Sequence, residues 1–202
     1  SRKIVDGVNW ANSLTGDDVA KQVEAGKSAF AGPELYGKTL GVIGLGAIGA
    51  QLANTALHLG MNVYGHDPYI TVDAAWHMSK SVIKAPARED IYTNCDYISL
   101  HVPSTPETRG MINKATIAQM KDGVRILNLA RADLVVADDI KEALKSGKVA
   151  SYVTDFPTPE TVGVPGIVTI PHLGASTRRT TVPLWRRRSL RTSLRPETFT
   201  TA

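Results

Sequence analysis

The chain has 202 residues, of which 43% are hydrophobic, which is enough for one globular domain with short extensions. Its single cysteine, Cys95, excludes an internal disulfide, and no apolar run approaches the ~20 residues that a membrane helix needs. The net charge of +4 comes from residues 178–202, which hold seven arginines and one acid, whereas the other 177 residues carry 16 basic and 18 acidic side chains. We therefore expect a cytoplasmic protein that binds neither a membrane nor nucleic acid, because only this tail could act as a basic nucleic-acid-binding arm.

Residues 1–37 are predicted to form a helical extension ahead of the sheet. The apolar residues up to Trp10 are typical of the end of one helix. A second short helix begins near Asp17 and is closed by Gly26. We interpret this extension as a connecting segment that could also mediate dimerisation.

An alternation of strands and helices follows over residues 38–177. Short apolar runs predict strands at 39–43, 62–66, 81–84, 97–101, 125–129, 149–154 and 167–170. Helical patterns lie between them at 48–59, 88–94, 114–120 and 137–146, with a shorter helix at 73–78. Because these strands are apolar on both faces, the pattern predicts an α/β fold with a doubly wound parallel sheet of the Rossmann type and helices on both faces.

The first predicted strand runs directly into a glycine motif. Gly44, Gly46 and Gly49 form G-x-G-x-x-G at the start of a helix, and Asp67 ends the next strand, 18 residues after Gly49. The first glycine permits a tight turn, the second permits close approach of a pyrophosphate, and the third permits close packing of helix on strand. The acid accepts hydrogen bonds from ribose hydroxyls and repels a 2′-phosphate. The pattern therefore favours NAD over NADP, and the alternative is a glycine turn needed only for packing.

Polar residues follow several of the predicted strands, at the sheet edge where doubly wound folds bind ligands. The segments that contain them are His101, Val102 and Pro103; Asn128, Leu129, Ala130 and Arg131; Asp155; and His172 with Gly174 and Ala175. We expect all of them to converge on the cofactor crevice. No grouping of Cys, His and Asp has the spacing of metal ligands, so no metal is expected.

Two of these polar residues, together with a glutamate in a loop, suit the oxidation of a hydroxy acid. His172 could accept a hydroxyl proton, Glu160 could orient the imidazole, and Arg131 could bind a carboxylate through two parallel hydrogen bonds. The alternatives are a turn histidine after a proline and a solvated glutamate in a loop. Residues alone leave both interpretations open.

Four stretches of the chain together resemble the D-isomer-specific 2-hydroxyacid dehydrogenases. They are Gly37–Gly49, Cys95–Pro103, Met120–Asn128 and Pro171–Thr177. The likeness runs from about residue 1 to residue 177. It implies an NAD-binding domain over 38–177 and, as partner, a small-molecule 2-hydroxy acid that is oxidised to a 2-oxo acid.

The resemblance also assigns roles to individual residues. Ala47 and Ile48 would meet the pyrophosphate, and Asp67 would meet the ribose. The nicotinamide side would comprise Leu129, Ala130 and Arg131, with Asp155 at the carboxamide and Gly174 and Ala175 completing a loop nearby. The catalytic residues would be Arg131 for the substrate carboxylate, His172 as the acid/base and Glu160 behind it.

The chain departs from the family pattern in three ways. Ala132 stands where the family usually has glycine, which predicts strain if the position needs positive φ. Glu160 lies one residue further from Phe156 than expected. Family members also carry a separate substrate domain, which this chain is expected to lack.

The resemblance further implies that a full-length parent is a homodimer or homotetramer. Two alternative functions stay open: a reductase of glyoxylate or hydroxypyruvate, because it would share the same site residues, and a catalytically silent NAD-binding fragment, because the substrate domain is expected to be missing.

Residues 178–202 break every preceding pattern, since lysine disappears and no helical period holds. We interpret them as an aberrant, Arg/Thr-rich and disordered tail. One hypothesis is a frameshift, because codons chosen for these residues and read two bases out of step decode as an amphipathic helix. The alternative is a basic arm for nucleic acid, and the gene sequence distinguishes the two.

Overall fold

The structure is a computed structural model that describes residues 2–174. Its α-helices are α1 (Arg2–Ser13), α2 (Val19–Gly26), α3 (Ala47–His58), α4 (Val72–His77), α5 (Arg88–Asn94), α6 (Lys114–Gln119) and α7 (Ala137–Lys145). Its strands are β1 (Thr39–Ile43), β2 (Asn62–His66), β3 (Ile83–Lys84), β4 (Tyr97–Leu100), β5 (Val124–Asn128), β6 (Val149–Thr154) and β7 (Ile167–Thr169). Single turns of 3-10 helix lie at Lys27–Phe30 and Ala132–Leu134.

The seven described strands form one parallel sheet in the order β3-β2-β1-β4-β5-β6-β7. Strand order reverses beside β1, where Ile43 pairs with His66 of β2 on one side and with Leu100 of β4 on the other. Ligands of doubly wound sheets bind beyond the carboxyl ends of the strands at such a switch point. The predicted Rossmann-type sheet is confirmed.

Helices cover both faces of β1 because its side chains alternate. Val42 packs with Ala53 of α3 in one buried cluster. On the opposite face, a Cβ on Gly41 would lie 2.3 Å from Ile91 Cγ2 of α5 and 2.9 Å from the Cys95 sulfur, so this strand and helix approach closely. Cys95 is fully buried there, and desolvation raises the pKa of its thiol to about 12.

The N-terminal extension packs around its own aromatic pair. The Trp10 and Phe30 rings are 5.1 Å apart at their centroids. A Cβ on Gly26 would lie 2.4 Å from Trp10 Cζ2, so α2 must end in glycine for α1 to approach it. The two predicted helices are thus present as α1 and α2.

The predicted elements differ from the observed ones mainly at one edge. The strand expected at 81–84 is only Ile83–Lys84, because it pairs with β2 solely at Tyr64 and Gly65. The 3-10 turn at Ala132–Leu134 was not predicted. Most other boundaries agree within one residue.

The chain divides into two units after Ile170, and the second unit is described only over residues 171–174. The proposed boundaries after residues 37 and 177 stay predictions, and the tail 178–202 lies outside the described residues. Within residues 2–174, no helix is long and apolar enough to cross a membrane.

Candidate functional site

The glycine loop between β1 and α3 has a shape that side chains would destroy. Gly44 has φ of +94°, and a Cβ there would lie 2.6 Å from the carbonyl oxygen of His101. A Cβ on Gly49 would lie 1.9 Å from the carbonyl oxygen of Gly44. Two of the three motif glycines are therefore required by the protein's own packing.

Gly46 differs from its two neighbours in the motif. Its backbone is ordinary, with φ of −67° and ψ of −166°, and nothing lies within 4 Å of a Cβ built on it. It is exposed, as are Ala47 and Ile48, which open α3. The first N–H groups of α3 have no carbonyl partner within the helix and face this open surface. Internal packing does not explain Gly46, whereas close approach of an anionic group such as a pyrophosphate does.

The carboxylate of Asp67 lies against the same loop. One oxygen accepts a hydrogen bond of 2.8 Å from the Leu45 N–H, and the other accepts one of 2.8 Å from the Tyr69 N–H. A carboxylate has about four acceptor positions, so it can also accept from two ribose hydroxyls. The residues thus fit NAD: an open cradle at a helix N-terminus with a carboxylate beside it.

The end of β4 forms the neighbouring wall of the crevice. His101 Nε2 lies 2.9 Å from the Ser99 hydroxyl, and burial lowers the pKa of His101, so the ring is neutral near pH 7. Val102 contacts the glycine loop, with its Cγ1 3.0 Å from the position of a Cβ on Gly44, and Pro103 is exposed. These three residues lie where the sequence predicted them, beyond the strand end.

Arg131 follows β5 on an exposed segment that Asn128 holds from below. The Asn128 amide group donates to the Arg131 carbonyl at 2.8 Å, and its oxygen accepts from the Ala130 and Arg131 N–H groups. The Arg131 guanidinium reaches solvent, and Leu129 is also exposed. The segment therefore presents an accessible cation at the sheet edge.

The condition under which Ala132 would be strained, a positive φ, is not met. This residue begins the 3-10 turn Ala132–Leu134, and positive φ among the described residues occurs only at glycines. The backbone here is in a region open to any residue, which is why alanine is tolerated.

A cavity of about 210 Å³ connects the segment after Arg131 with Glu160. Its lining includes Ala132, Asp133, Tyr152 and Glu160. Asp155, at the end of β6, is buried. Glu160 is exposed, and a hydrogen bond from the Thr158 side chain is the main cause that lowers its pKa, so it is ionised at neutral pH.

The other predicted site residues belong to the second unit or lie outside the description. His172 and Gly174 are in the unit Pro171–Ala202, so their position relative to Arg131 and Glu160 stays a prediction. Ala175 lies outside the described residues.

Sequence reasoning missed a clip between the loops that follow β4 and β5. Asp133 Oδ2 accepts hydrogen bonds from the Ser104 hydroxyl and from Arg109 Nε, the latter at 3.2 Å. The Gly110 N–H also donates to the Asp133 carbonyl at 2.8 Å. No local pattern marks these partners, which lie more than 20 residues apart in the chain.

The polar layer beneath β5 and β6 was missed as well. Asn128 Nδ2 donates to the Tyr152 hydroxyl at 3.2 Å, and both residues are buried. The available signal was Asn128 at the carboxyl end of β5, just before the segment that carries Arg131.

Comparisons with known proteins agree on one family. The model of the D-isomer specific 2-hydroxyacid dehydrogenase NAD binding domain matches residues 10–176. The D-3-phosphoglycerate dehydrogenase of Bacillus subtilis is 40% identical over 164 residues, which are 78% of this chain and 31% of that protein. The chain therefore spans about a third of the length of this relative.

Solved structures share the fold at lower identity. The apo form of Rhodotorula graminis D-mandelate dehydrogenase has a TM-score of 0.70 at 26% identity, over 87% of this chain and 52% of that chain. A glyoxylate reductase from Paecilomyes thermophila has a TM-score of 0.65 at 29% identity, over 77% of this chain and 50% of that chain.

Proposed function

The chain belongs to the D-isomer-specific 2-hydroxyacid dehydrogenases, within whose NAD-binding domain it lies, and we propose that it serves the oxidation of 3-phosphoglycerate to 3-phosphohydroxypyruvate, as in serine biosynthesis. The observation that carries the proposal is the open Gly46 cradle beside the Asp67 carboxylate. The 40% identity to a D-3-phosphoglycerate dehydrogenase supports the choice of substrate.

Three residues would carry the chemistry. The Arg131 guanidinium, exposed after β5, would bind the substrate carboxylate. The His172 imidazole would accept the hydroxyl proton as the carbonyl forms. The Glu160 carboxylate, which is ionised at neutral pH, would stabilise the resulting imidazolium. Bound NAD would supply the hydride acceptor.

The substrate must also be enclosed, and this chain spans about a third of its curated relative. Full turnover would need further walls to hold the hydroxy acid and exclude water. A full-length parent would be a cytoplasmic homodimer or homotetramer. The single, buried Cys95 agrees with a reducing compartment.

A reductase of glyoxylate is the second candidate, favoured by the structural likeness to a glyoxylate reductase at 29% identity. The two candidates share the cofactor site and the Arg131, Glu160 and His172 set. Only turnover tests with 3-phosphoglycerate, glyoxylate and hydroxypyruvate can separate them. No turnover of any of these, with intact NADH binding, would favour a silent NAD-binding fragment.

The cofactor assignment is tested by fluorescence titration of the purified chain with NADH and NADPH. We expect tighter binding of NADH, because Asp67 repels a 2′-phosphate. Equal affinities for NADH and NADPH, or no binding of either, would contradict the proposal.

The acid/base assignment is tested by His172→Ala in a full-length enzyme that carries this chain. Turnover should fall far more than NADH affinity, since the imidazole acts on the substrate proton. An equal loss of turnover and affinity would contradict the role of His172.

A further inference from the structure

A buried polar layer lies directly beneath the two strand ends that carry Arg131 and Asp155. Asn128 is 0% exposed, Thr154 is 1% exposed and Tyr152 is 3% exposed. Burying such groups is unfavourable unless hydrogen bonds compensate for the lost water. Their hydrogen bonds therefore show what this layer holds in place.

Asn128 directs its amide oxygen and one amide hydrogen to the segment that follows it. Its Oδ1 accepts from the Ala130 N–H at 3.3 Å and from the Arg131 N–H at 3.4 Å, and its Nδ2 donates to the Arg131 carbonyl at 2.8 Å. A single buried side chain thus binds three backbone groups of the two residues that end in Arg131. These bonds fix the backbone position from which the exposed Arg131 side chain extends.

The second hydrogen on Asn128 Nδ2 extends the layer to β6. It is donated to the Tyr152 hydroxyl at 3.2 Å, and the hydroxyl interacts in turn with the Thr154 side chain. Burial is the main cause that raises the pKa of Tyr152, so its hydroxyl is protonated while it accepts the bond from Asn128. Thr154 directly precedes Asp155, and its Oγ1 accepts from the Phe156 N–H at 3.2 Å. The layer therefore spans both strand ends.

We propose that Asn128 and Tyr152 are positioning residues that hold the Arg131 segment and the Asp155 strand end in one fixed register. Both residues are buried, and Tyr152 also lines the cavity that reaches Glu160. The inference rests on the proposed function in one respect, the assignment of Leu129, Ala130, Arg131 and Asp155 to the nicotinamide side. The layer would make that wall rigid before the cofactor arrives.

The chain offers a matched control for this clamp. Asn113, at the start of α6, also binds three backbone groups: it donates to the Gly110 carbonyl at 2.8 Å and accepts from the Ala115 and Thr116 N–H groups at 3.0 and 3.2 Å. Asn113→Ala removes a comparable set of bonds outside the crevice. It reports the cost of losing such a set anywhere in the fold.

The first test compares NADH with ADP-ribose, which lacks the nicotinamide, as titrants of the purified chain. Asn128→Ala should weaken NADH binding on the order of tenfold and change ADP-ribose binding less than about twofold. Tyr152→Phe should weaken NADH binding about threefold, because the bonds of Asn128 to the Arg131 segment remain. Asn113→Ala should leave the ratio of the two affinities unchanged. Parallel loss of both ligands in Asn128→Ala would overturn the proposal.

The second test needs no ligand. In the wild-type chain, the Ala130 and Arg131 amides should exchange hydrogen slowly, and Asn128→Ala should accelerate both on the order of tenfold, whereas Asn113→Ala should not. Equal exchange rates in the three proteins would overturn the clamp. A wild-type chain that binds neither ligand would contradict the proposed function, and the exchange comparison would still decide the clamp.

Discussion

The two halves of the crevice are built by opposite means. On the β1–α3 side, the shape depends on side chains that are missing: Gly44 and Gly49 leave no room for a Cβ, and Gly46 leaves open surface. On the β5–β6 side, the shape depends on side chains that are present and buried, with Asn128 and Tyr152 bonded to each other and to backbone. One half is shaped by close backbone approach, and the other by hydrogen bonds.

This difference determines how each half responds to substitution. A Cβ added at Gly44 or Gly49 would clash with backbone and should destabilise the fold strongly. A Cβ added at Gly46 enters open space and should not affect the protein in the absence of ligand. A removed atom on the β5–β6 side leaves a buried donor or acceptor without a partner, which has an intermediate cost. Removing an exposed hydrogen-bonding side chain costs little stability, because water can bond to the partner that is left.

The largest effect is expected from Gly49→Ala, paired with Gly46→Ala. The new Cβ at residue 49 would lie 1.9 Å from backbone, so the free energy of unfolding should fall by about 3 kcal/mol and NADH binding should be lost. Gly46→Ala should keep the melting temperature of the wild type and still weaken NADH on the order of tenfold, because its Cβ enters only the ligand's space. Equal destabilisation by the two variants in urea unfolding would contradict this reading of the motif.

A smaller loss of stability is expected from Asp67→Asn. The amide oxygen can accept only one of the two N–H groups now bonded to the carboxylate, and it lacks the charge, so stability should fall by about 1 to 2 kcal/mol without any ligand. NADH binding should weaken at the same time. Asp122→Asn is the control: the Asp122 side chain is 91% exposed and precedes β5, at the end of the strand opposite Arg131, so the substitution should change neither measurement. Unchanged unfolding of Asp67→Asn would mean that the carboxylate does not brace the loop.

The next effect depends on pH and involves His101. Burial lowers its pKa below the usual 6.5, so the unfolded chain binds the proton more readily than the folded chain. Its contribution to stability is therefore complete above pH 6.5 and declines as pH falls from 6.5 through the folded pKa. His101→Gln should lose less stability than the wild type over that interval in urea unfolding, whereas His58→Gln, at an exposed site, should follow the wild type. Parallel curves for all three would contradict the burial of a neutral imidazole.

The smallest effect is expected from Asp133→Asn. The hydrogen bond from Ser104 is the main cause that lowers the Asp133 pKa, but the carboxylate is exposed and water can take the place of its partners. The melting temperature of Asp133→Asn should fall less than that of Asp67→Asn, and the ratio of NADH to ADP-ribose affinity should not change. A fall in melting temperature as large as that caused by Asn128→Ala would mean that the Asp133 clip, rather than the buried layer, fixes the positions of the two loops.

The same contrast explains what could be predicted from the sequence. The sheet, its order of elements and the glycine loop follow from periodicity and from a motif within 24 residues, so Gly44 to Asp67 could be assigned before the fold was known. The Asn128–Tyr152 bond and the Asp133 clip join residues 24 and 29 apart that carry no shared pattern. The length of β3 was overestimated, because β3 pairs with β2 at only two positions and the sequence does not show where that pairing ends. The concern about Ala132 came from the glycine of the family pattern, whereas its own backbone does not need positive φ.

The close contact of β1 with α5 has a consequence for the laboratory. Cys95 is the only thiol in the chain, is fully buried against Gly41, and has a pKa of about 12. An alkylating reagent should therefore modify the folded protein only when strand and helix separate, because the thiolate is the reactive form. The rate of Cys95 alkylation therefore measures how often β1 and α5 separate, without an engineered label. Ligands that stabilise the fold should lower this rate.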